Sequence, residues 1–303
     1  MKMVRTTNLT KKYGEKLALD HINLEVEEHT ICGVLGPNGA GKTTLFSLLM
    51  GFVPRTDGTV VIDEKPVKFR HPSPDVRFLQ EVPEFYDYMT AIEYLTLIAD
   101  LNRINRKAVG EMLKMVHLYE FKDQKISTYS LEMKKRLGIA STVLPNPKVL
   151  ILDEPLASLD PIRRNEIVEL MKDLKQYVTI LFSTHSLTDV EKICDYIIVL
   201  EEGNLVMNGS IQELSKKYLS DVLEIQFYRE EDLIKFKKQY HIPNQTSFDM
   251  NNNNYTIRFK SPNLLELEDE ILNVIAKQQI KIINFSLKHP TLEEIFESEV
   301  LKK

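Results

Sequence analysis

The sequence predicts an α/β fold with a mainly parallel β-sheet that is covered by helices on both faces. Mainly apolar runs at residues 31–35, 149–152 and 178–182 have the composition of buried strands, and helical stretches separate them. A glycine-rich loop connects the first of these runs to a helix. Towards the C-terminus the pattern changes to shorter strands and helices, which indicates a second, small α+β domain.

The bulk composition is that of a folded protein without a generally basic surface. The chain has 303 residues, 43% of them hydrophobic, and a formal net charge of −5. This size allows one large domain or two ordinary ones, and the acidic balance argues against nucleic acid as a partner. Cys32 and Cys194 lie in apolar, strand-like runs without metal-ligand spacing, so we expect two reduced core residues.

The sequence also lacks the features of a secretion signal or a membrane span. The first residues, MKMVRTTNLTKKYG, have no apolar stretch of the kind found in signal peptides. No uninterrupted apolar run approaches the ~18 residues of a membrane span. We therefore expect a soluble chain that serves a membrane process only through a partner.

Residues 1–215 are expected to form the larger domain. Two strands, 4–8 and 22–26, are predicted to flank a loop that contains Tyr13 and Gly14. The other strands are predicted at residues 31–35, 59–62, 77–79, 149–152, 178–182, 197–200 and 205–207. Residues 84–142 change to a helical pattern, which predicts a helical insert in the α/β core.

The helices of this insert are predicted at residues 90–102, 108–118 and 131–143, where apolar residues recur at spacings of three and four. A further helix is predicted at 161–177, because Pro161 suits the first position of a helix.

Residues 216–303 are expected to form the accessory domain. The predicted elements are a strand at 221–228, a helix at 231–239, strands at 248–250 and 255–259, a helix at 264–277 and a strand at 281–287. This β-α-β-β-α-β order is typical of a ferredoxin-like sandwich. A last helix is predicted from Pro290, since Thr291 and Glu294 have capping-box spacing.

The glycine-rich loop, GPNGAGKTT at residues 36–44, fits the phosphate-binding pattern G-x-x-x-x-G-K-[ST] between a strand and a helix. Glycines let backbone N–H groups point at phosphate oxygens, and the start of the helix favours an anion. The residues predicted to contact a nucleotide here are Gly36, Pro37, Asn38, Gly39, Ala40, Gly41, Lys42, Thr43 and Thr44. Lys42 is expected at the β- and γ-phosphates, and the Thr43 hydroxyl at Mg²⁺. A ligand-free glycine turn is the less favoured alternative.

A second motif, VLILDEP at residues 149–155, is an apolar strand that ends in two carboxylates. Asp153 is predicted to bind Mg²⁺, directly or through water, and Glu154 to polarise the attacking water. Acidic turns after strands are common in α/β proteins, but the phosphate-binding loop in the same chain favours the catalytic interpretation.

With both motifs in place, residues 1–219 resemble the ATPases of ABC transporters. The resemblance implies ATP and Mg²⁺ as ligands and places Tyr13 where the family stacks an aromatic ring on adenine. Residues 158–160, Ser-Leu-Asp, resemble the loop that crosses to a partner ATPase. His185 resembles the histidine that contacts the γ-phosphate. An ordinary loop tyrosine and a structural histidine are the alternatives.

Where the family has a loop glutamine at Mg²⁺ and the membrane subunit, alignment on Pro83 places Glu81. Gln80 precedes it, and the alignment leaves a one-residue ambiguity in which we favour Glu81, both as a nucleotide contact and as a metal ligand.

The signature segment, residues 129–133, reads YSLEM where the family has LSGGQ. In the family it binds the nucleotide that the other subunit holds, so Ser130 is expected to do so here. Both glycines are replaced, by Leu131 and Glu132, which restricts the backbone and adds a negative charge near a polyanion. Two outcomes stay open. Either Glu132 turns to solvent and hydrolysis is normal, or the signature is weakened and the chain pairs with a second, competent ATPase.

The run HPTLEEIFESEV at residues 289–300 resembles the ending of ATPases from drug, antibiotic and peptide exporters. The resemblance therefore implies an ATP-hydrolysing subunit with Lys42, Glu154 and His185 as catalytic residues. Its expected partners are a membrane permease and a second ATPase subunit, identical or different, at the cytoplasmic face of the membrane. One alternative is a regulatory ATP-binding subunit that does not hydrolyse ATP. Another is a soluble relative that acts on ribosomes or DNA. This second alternative is disfavoured because the sequence has a single cassette, no heptad run and an acidic balance.

Overall fold

A computed structural model describes residues 1–218, 222–241, 247–251, 254–261 and 264–288. The chain divides into two compact units, residues 1–211 and 212–303. Among the described residues, none of the helices combines the length and the apolar composition that a bilayer crossing requires.

The first unit contains ten strands in the described chain. They are β1 (Lys2–Tyr13), β2 (Lys16–Glu27), β3 (Ile31–Leu35), β4 (Asp57–Ile62), β5 (Lys65–Pro66), β6 (Val76–Leu79), β7 (Val149–Leu152), β8 (Thr179–Thr184), β9 (Tyr196–Glu201) and β10 (Asn204–Ser210). The helices up to residue 218 are α1 (Lys42–Leu49), α2 (Ala91–Leu101), α3 (Lys107–Met115), α4 (Leu131–Val143), α5 (Pro161–Leu174), α6 (Leu187–Ile193) and α7 (Ile211–Tyr218), with 3₁₀ turns at Tyr119–Phe121 and Ile126–Thr128.

The central sheet has the strand order β10-β9-β3-β8-β7-β6, and all pairs except β10–β9 are parallel. Every residue of β3, β7 and β8 is buried, as expected for strands that helices cover on both faces. The parallel strands end at one edge, so the loops that follow β3, β7 and β8 come together there. The predicted α/β core is therefore confirmed.

A second, antiparallel sheet with the order β2-β1-β4-β5 was not predicted. The expected loop around Tyr13 is wrong in extent, because β1 runs to Tyr13 and only a two-residue turn separates it from β2. Shifts in the pairing register and polar residues inside the strands break the simple alternation of apolar and polar residues. Lys11, for example, is buried, and its amine donates a 2.7 Å hydrogen bond to the Pro54 carbonyl.

The helical insert consists of α2, α3 and α4, which share one apolar core with the sheet, where α4 contacts β6. α2 begins with a capping box, in which the Thr90 hydroxyl accepts from Glu93 N and the Glu93 carboxylate accepts from Thr90 N.

The short helix α6 was not predicted. The spacing of Ser186, its N-cap, and Asp189 was the available signal.

The second unit continues with β11 (Val222–Phe227), α8 (Glu230–Gln239), β12 (Ser247–Asn251), β13 (Thr256–Lys260), α9 (Leu264–Lys277) and β14 (Ile282–Lys288). Its sheet is antiparallel with the order β12-β13-β11-β14. This is the predicted β-α-β-β-α-β succession, and its core includes Phe227, Phe236, Phe259 and Ile271. The helix predicted from Pro290 lies outside the described residues.

Gly58 allows the close pairing of β4 with β1, and its replacement tests this contact. A Cβ atom at Gly58 would lie 2.3 Å from the Asn8 carbonyl oxygen, and its φ is 82°. We expect Gly58→Ala to lower the free energy of unfolding by ~3 kcal/mol. The new Cβ would force the backbone near Asn8 to move, and alanine would have to adopt a strained positive φ.

Gly14→Ala is the matched control. Gly14 also has a positive φ, 58°, but its Cβ would meet no described atom within 4 Å, so we expect a loss of only ~1 kcal/mol. Urea unfolding followed by far-UV circular dichroism measures both, since the chain has no tryptophan. Equal losses would contradict the steric argument.

Candidate functional site

A cleft of about 770 Å³ opens at the edge of the central sheet where its parallel strands end. The loop after β3, the start of α1, the β1–β2 hairpin and the segment after β7 all contribute to it. The lining residues are Tyr13, Lys16, Leu17, Ala18, Pro37, Asn38, Gly39, Gly41, Lys42, Thr43, Thr44, Glu81, Asp153, Glu154 and Glu202. Most of the predicted nucleotide and metal contacts therefore lie together in one cleft, as do Lys16 and Glu202, which were not predicted.

The glycine loop is shaped to receive an anion. The Lys42 amine donates to the carbonyl oxygens of Gly36, at 2.7 Å, and Pro37, at 3.3 Å, so it lies across the loop. No described side chain caps the start of α1, whose N-cap is Gly41 with a φ of 112°. The first N–H groups of α1 are thus available to a phosphate group. A Cβ on Gly36 would lie 2.3 Å from the Leu200 carbonyl oxygen, which explains the need for glycine there.

Ser183 connects the two predicted acidic residues, and sequence reasoning missed it. Its buried hydroxyl donates to Asp153 Oδ1 at 2.5 Å and accepts from the Glu154 N–H at 2.8 Å. Asp153 and Glu154 follow β7, and Ser183 lies near the end of the neighbouring strand β8. The two adjacent hydroxyl residues at the end of this buried core strand, Ser183 and Thr184, were the signal that could have identified it.

His185 follows β8 and lies beside Glu154. Its Nδ1 is 3.4 Å from Glu154 Oε1 and 3.3 Å from Oε2, while the imidazole side chain remains 69% exposed. The predicted pair of catalytic side chains therefore lies together, although His185 itself is not among the described residues that line the cleft.

Three oxygen-bearing side chains predicted to bind Mg²⁺, those of Thr43, Glu81 and Asp153, line the cleft. Hydroxyl and carboxylate oxygens suit this hard cation. Within the described residues, no set of three His, Cys, Asp or Glu side chains forms a metal site by itself. Mg²⁺ therefore fits here as an ion that phosphate oxygens and water would help to coordinate. Glu81 faces the cleft, whereas the neighbouring Gln80 donates its side-chain amide to the Val82 carbonyl at 2.9 Å.

Tyr13 lies at the outer end of the cleft, where β1 ends. Its side chain is about half exposed, and the Lys11 amine lies 4.5 Å from the ring centroid. Cation–π contact with the buried Lys11 orients the ring. Tyr13 can therefore offer an ordered aromatic surface to a flat ligand.

Ser130 lies at the start of α4 and not among the described residues that line the cleft. Its hydroxyl is the N-cap of that helix and accepts from Met133 N at 3.2 Å. The signature segment and the glycine loop are therefore separate surfaces of one chain.

Glu132 has neither of the two environments considered from the sequence. It is only 6% exposed, and its carboxylate oxygens are paired with the guanidinium groups of Arg136 and Arg163. The hydrogen bond with Glu132 is the main reason that the pKa of Arg163 is raised. The alternative in which Glu132 turns to solvent is therefore wrong, and the added negative charge is neutralised within the chain.

The two arginines extend this cluster to α5. Arg136 Nη2 is 2.6 Å from Glu166 Oε2, and Arg163 Nε is 2.9 Å from Asp160 Oδ2. Asp160 is itself the N-cap of α5. The start of α4 is thereby fixed to the start of α5 by charged groups.

Comparison with protein families gives two matches along the chain. Residues 19–157 match the family described as ABC transporter, and residues 209–300 match the C-terminal domain described as ATP-binding protein DrrA1-3-like.

Individual relatives agree with these matches. The chain is 37% identical over 228 residues to the uncharacterized ABC transporter ATP-binding protein YxlF of Bacillus subtilis, covering 74% of this chain and 76% of that one. It is 40% identical to the bacitracin transport ATP-binding protein BcrA of Enterococcus faecalis, covering 71% of each chain. Among solved structures, the chain matches the ATP-binding cassette MJ0796 with a TM-score of 0.60 at 26% identity, covering 69% of this chain and 99% of that one. That structure is a dimer in a post-hydrolysis state with ADP and phosphate bound.

The Glu132 cluster predicts a measurable coupling with Arg163. We expect Glu132→Gln to lower the free energy of unfolding by about 1–3 kcal/mol, because Arg136 stays buried and loses one of its two carboxylate partners. In a double-mutant cycle with Arg163→Gln, the loss in the double variant should be smaller than the sum of the single losses.

The exposed pair Glu169–Lys172, 2.8 Å apart on α5, provides the control, since surface pairs contribute little. Strictly additive losses for Glu132 and Arg163 would show that the pair does not stabilise the chain.

Proposed function

The chain belongs to the family of ABC transporter ATP-binding proteins and is an ATP hydrolase of that type, and we propose that it powers the export of a drug, an antimicrobial or a peptide through a separate permease. The convergence of Lys42, Asp153 and Glu154 on one cleft carries the ATPase assignment. The similarity to a bacitracin transport protein and to a DrrA-like C-terminal domain supports the cargo class.

In the proposed mechanism, the glycine loop and Lys42 bind the β- and γ-phosphates. Thr43, Asp153 and Glu81 would hold Mg²⁺, which neutralises phosphate charge when bound. Glu154 accepts a hydrogen bond from water and polarises it. The water oxygen then bonds to the γ-phosphorus, one water proton passes to Glu154, and the bond from that phosphorus to the bridging oxygen breaks, which releases ADP and phosphate. His185, beside Glu154, donates a hydrogen bond to the γ-phosphate.

Two ATPase subunits are proposed to work together. Ser130 lies outside its own chain's cleft, so in this proposal it contacts the nucleotide held by a partner subunit, and residues 158–160 cross between the two. A dimer is also the form of the related cassette MJ0796 with ADP and phosphate. The partner is a second copy or a different ATPase.

The regulatory alternative is not favoured. It depended on an uncompensated charge at Glu132, and that charge is paired with Arg136 and Arg163. The relatives are likewise described as transport or transporter ATP-binding proteins.

A tyrosine-rich segment next to Glu81 is proposed to contact the permease. In residues 82–88 the side chains of Val82, Tyr86 and Tyr88 are exposed, Tyr88 by 73%. The rings of Tyr86 and Tyr88 lie 5.9 Å apart, which keeps this apolar surface together. Such a patch, adjacent to a cleft residue, suits a partner that responds to nucleotide. We place the chain at the cytoplasmic face of the membrane through this contact, and propose residues 216–303 as its accessory domain.

Replacement of the proposed general base tests the mechanism. We expect Glu154→Gln to reduce steady-state phosphate release by at least about 100-fold, while the dissociation constant for ATP changes less than about threefold, because Lys42 and the glycine loop remain intact. Glu169→Gln, an exposed site on α5, is the matched control and should behave as wild type. Full turnover by Glu154→Gln would refute the assigned base.

The proposed permease contact has a separate test. Tyr88→Ala should leave phosphate release by the chain alone unchanged and reduce its stimulation by permease in vesicles by about tenfold, since exposed aromatic residues often dominate contacts. Tyr177→Ala, which also removes an exposed tyrosine, should retain the stimulation. Equal stimulation of the two variants would exclude Tyr88 from the contact.

A further inference from the structure

Lys135 makes an unusual connection between the helical insert and the catalytic segment. It lies on α4, is only 2% exposed, and points its amine at the chain that follows β7. Within the described residues, its hydrogen-bond acceptors are the carbonyl oxygens of Glu154 at 3.1 Å, Pro155 at 3.1 Å and Ala157 at 2.8 Å. One ammonium group thus satisfies three backbone acceptors in a single turn.

The turn that Lys135 holds has a conformation that needs support. Glu154 has a φ of 45° and Ser158 a φ of 61°, the left-handed region that non-glycine residues seldom adopt. Each such residue costs about 1 kcal/mol and persists when its surroundings fix it. The conformation directs the Glu154 side chain into the cleft, where it lies beside His185.

Both backbone polar groups of Glu154 are hydrogen-bonded. Its N–H donates to Ser183 Oγ at 2.8 Å, and its carbonyl oxygen accepts from Lys135 Nζ. Ser183 belongs to β8 and Lys135 to α4, so the sheet fixes one side and the helical insert the other. Removing the lysine would take this donor from the Pro155 and Ala157 carbonyl oxygens, while the Glu154 carbonyl oxygen would keep only the Ala157 N–H, 3.2 Å away.

The charge of Lys135 has an electrostatic cost that the nearby carboxylates offset only in part. Burial lowers the pKa of Lys135, while the nearby carboxylates of Glu81 and Glu154 act in the opposite direction. Both carboxylates line the cleft. The ammonium is therefore placed close to the acidic side of the cleft without being one of its lining residues.

We propose that Lys135 is a positioning residue for ATP hydrolysis, which holds the backbone that follows Glu154 so that the carboxylate faces the attacking water. The inference rests on the proposed function, in which Glu154 polarises that water. The inference also connects the signature segment with the cleft. Ser130, which is proposed to meet the partner's nucleotide, lies at the start of α4, five positions before Lys135. The same helix therefore holds the general base of this chain's own cleft.

The test compares Lys135→Met, which removes the donors, with Lys135→Arg, which keeps a charged donor. Lys134→Met is the matched control, because Lys134 precedes it on α4 and its amine pairs at the surface with Asp87, 3.3 Å away. Three quantities are measured on the full chain: phosphate release in a single turnover, the dissociation constant for ATP, and amide hydrogen exchange of residues 153–160.

For Lys135→Met we expect phosphate release to fall by about 10- to 100-fold, since small displacements of a catalytic group have effects of this size. The dissociation constant for ATP should stay within about twofold, and exchange in residues 153–160 should become faster. Lys135→Arg should recover part of the rate, and Lys134→Met should match wild type in all three measurements.

Two results would overturn the inference. The first is phosphate release and amide exchange at the wild-type level in Lys135→Met. The second is a loss of phosphate release that is explained in full by a smaller folded fraction of the variant, measured by thermal melting. If Lys135→Met does not fold, Lys135→Gln, which retains a shorter donor, replaces it under the same criteria. Glu154→Gln is measured in parallel. Full turnover in that variant would refute the proposed base itself. Lost turnover in Glu154→Gln together with normal turnover in the Lys135 variant would refute only the positioning role.

Discussion

The hydroxyl group of Ser183 joins the ends of two neighbouring parallel strands, and the arrangement of the cleft depends on it. A hydroxyl donates and accepts at the same time, so it can bond the Asp153 carboxylate and the Glu154 N–H together. The first of these carboxyl residues suits a metal ion and the second suits water. One buried hydroxyl thus bonds both residues, because β7 and β8 pair in parallel at this edge of the sheet.

Compensation within the chain explains how an unusual signature segment is compatible with ATPase function. A glutamate in place of glycine would repel phosphate if its charge were free, by ~4 kcal/mol at about 4 Å for an effective dielectric near 20. Glu132 instead forms a buried cluster with Arg136 and Arg163. Breaking such a cluster is costly, although its formation contributes little by itself. The cluster therefore determines where the signature segment lies more than how stable the chain is.

The parts of the fold that sequence could predict are those whose signal is local. Strands buried on both faces are continuously apolar, and the glycine loop has a fixed spacing, so the central sheet and the cleft around Lys42 were accessible. The long β1–β2 hairpin was not, because Lys11 and other polar residues interrupt its pattern. Ser183, Lys135 and the partners of Glu132 were missed for another reason. The contacts of Ser183 and Lys135 and the pairing of Glu132 with Arg163 join residues 19 to 31 positions apart, which no local pattern encodes. Arg136 lies only four positions after Glu132 on the same helix.

Two of these distant contacts hold the same stretch of chain from one helix. Lys135 bonds the carbonyl groups that follow Glu154, and Glu132, three residues earlier on α4, holds Arg163 at the start of α5. The stretch between these attachments contains the residues expected to cross to a partner ATPase. At 1.5 Å per residue, the start of α4 lies less than ~8 Å from Lys135 along a continuous helix, so the two ends move together. In the proposed dimer, a displacement of Ser130 by the partner's nucleotide would therefore reach the backbone of Glu154 and would link closure of the dimer to the position of the carboxylate.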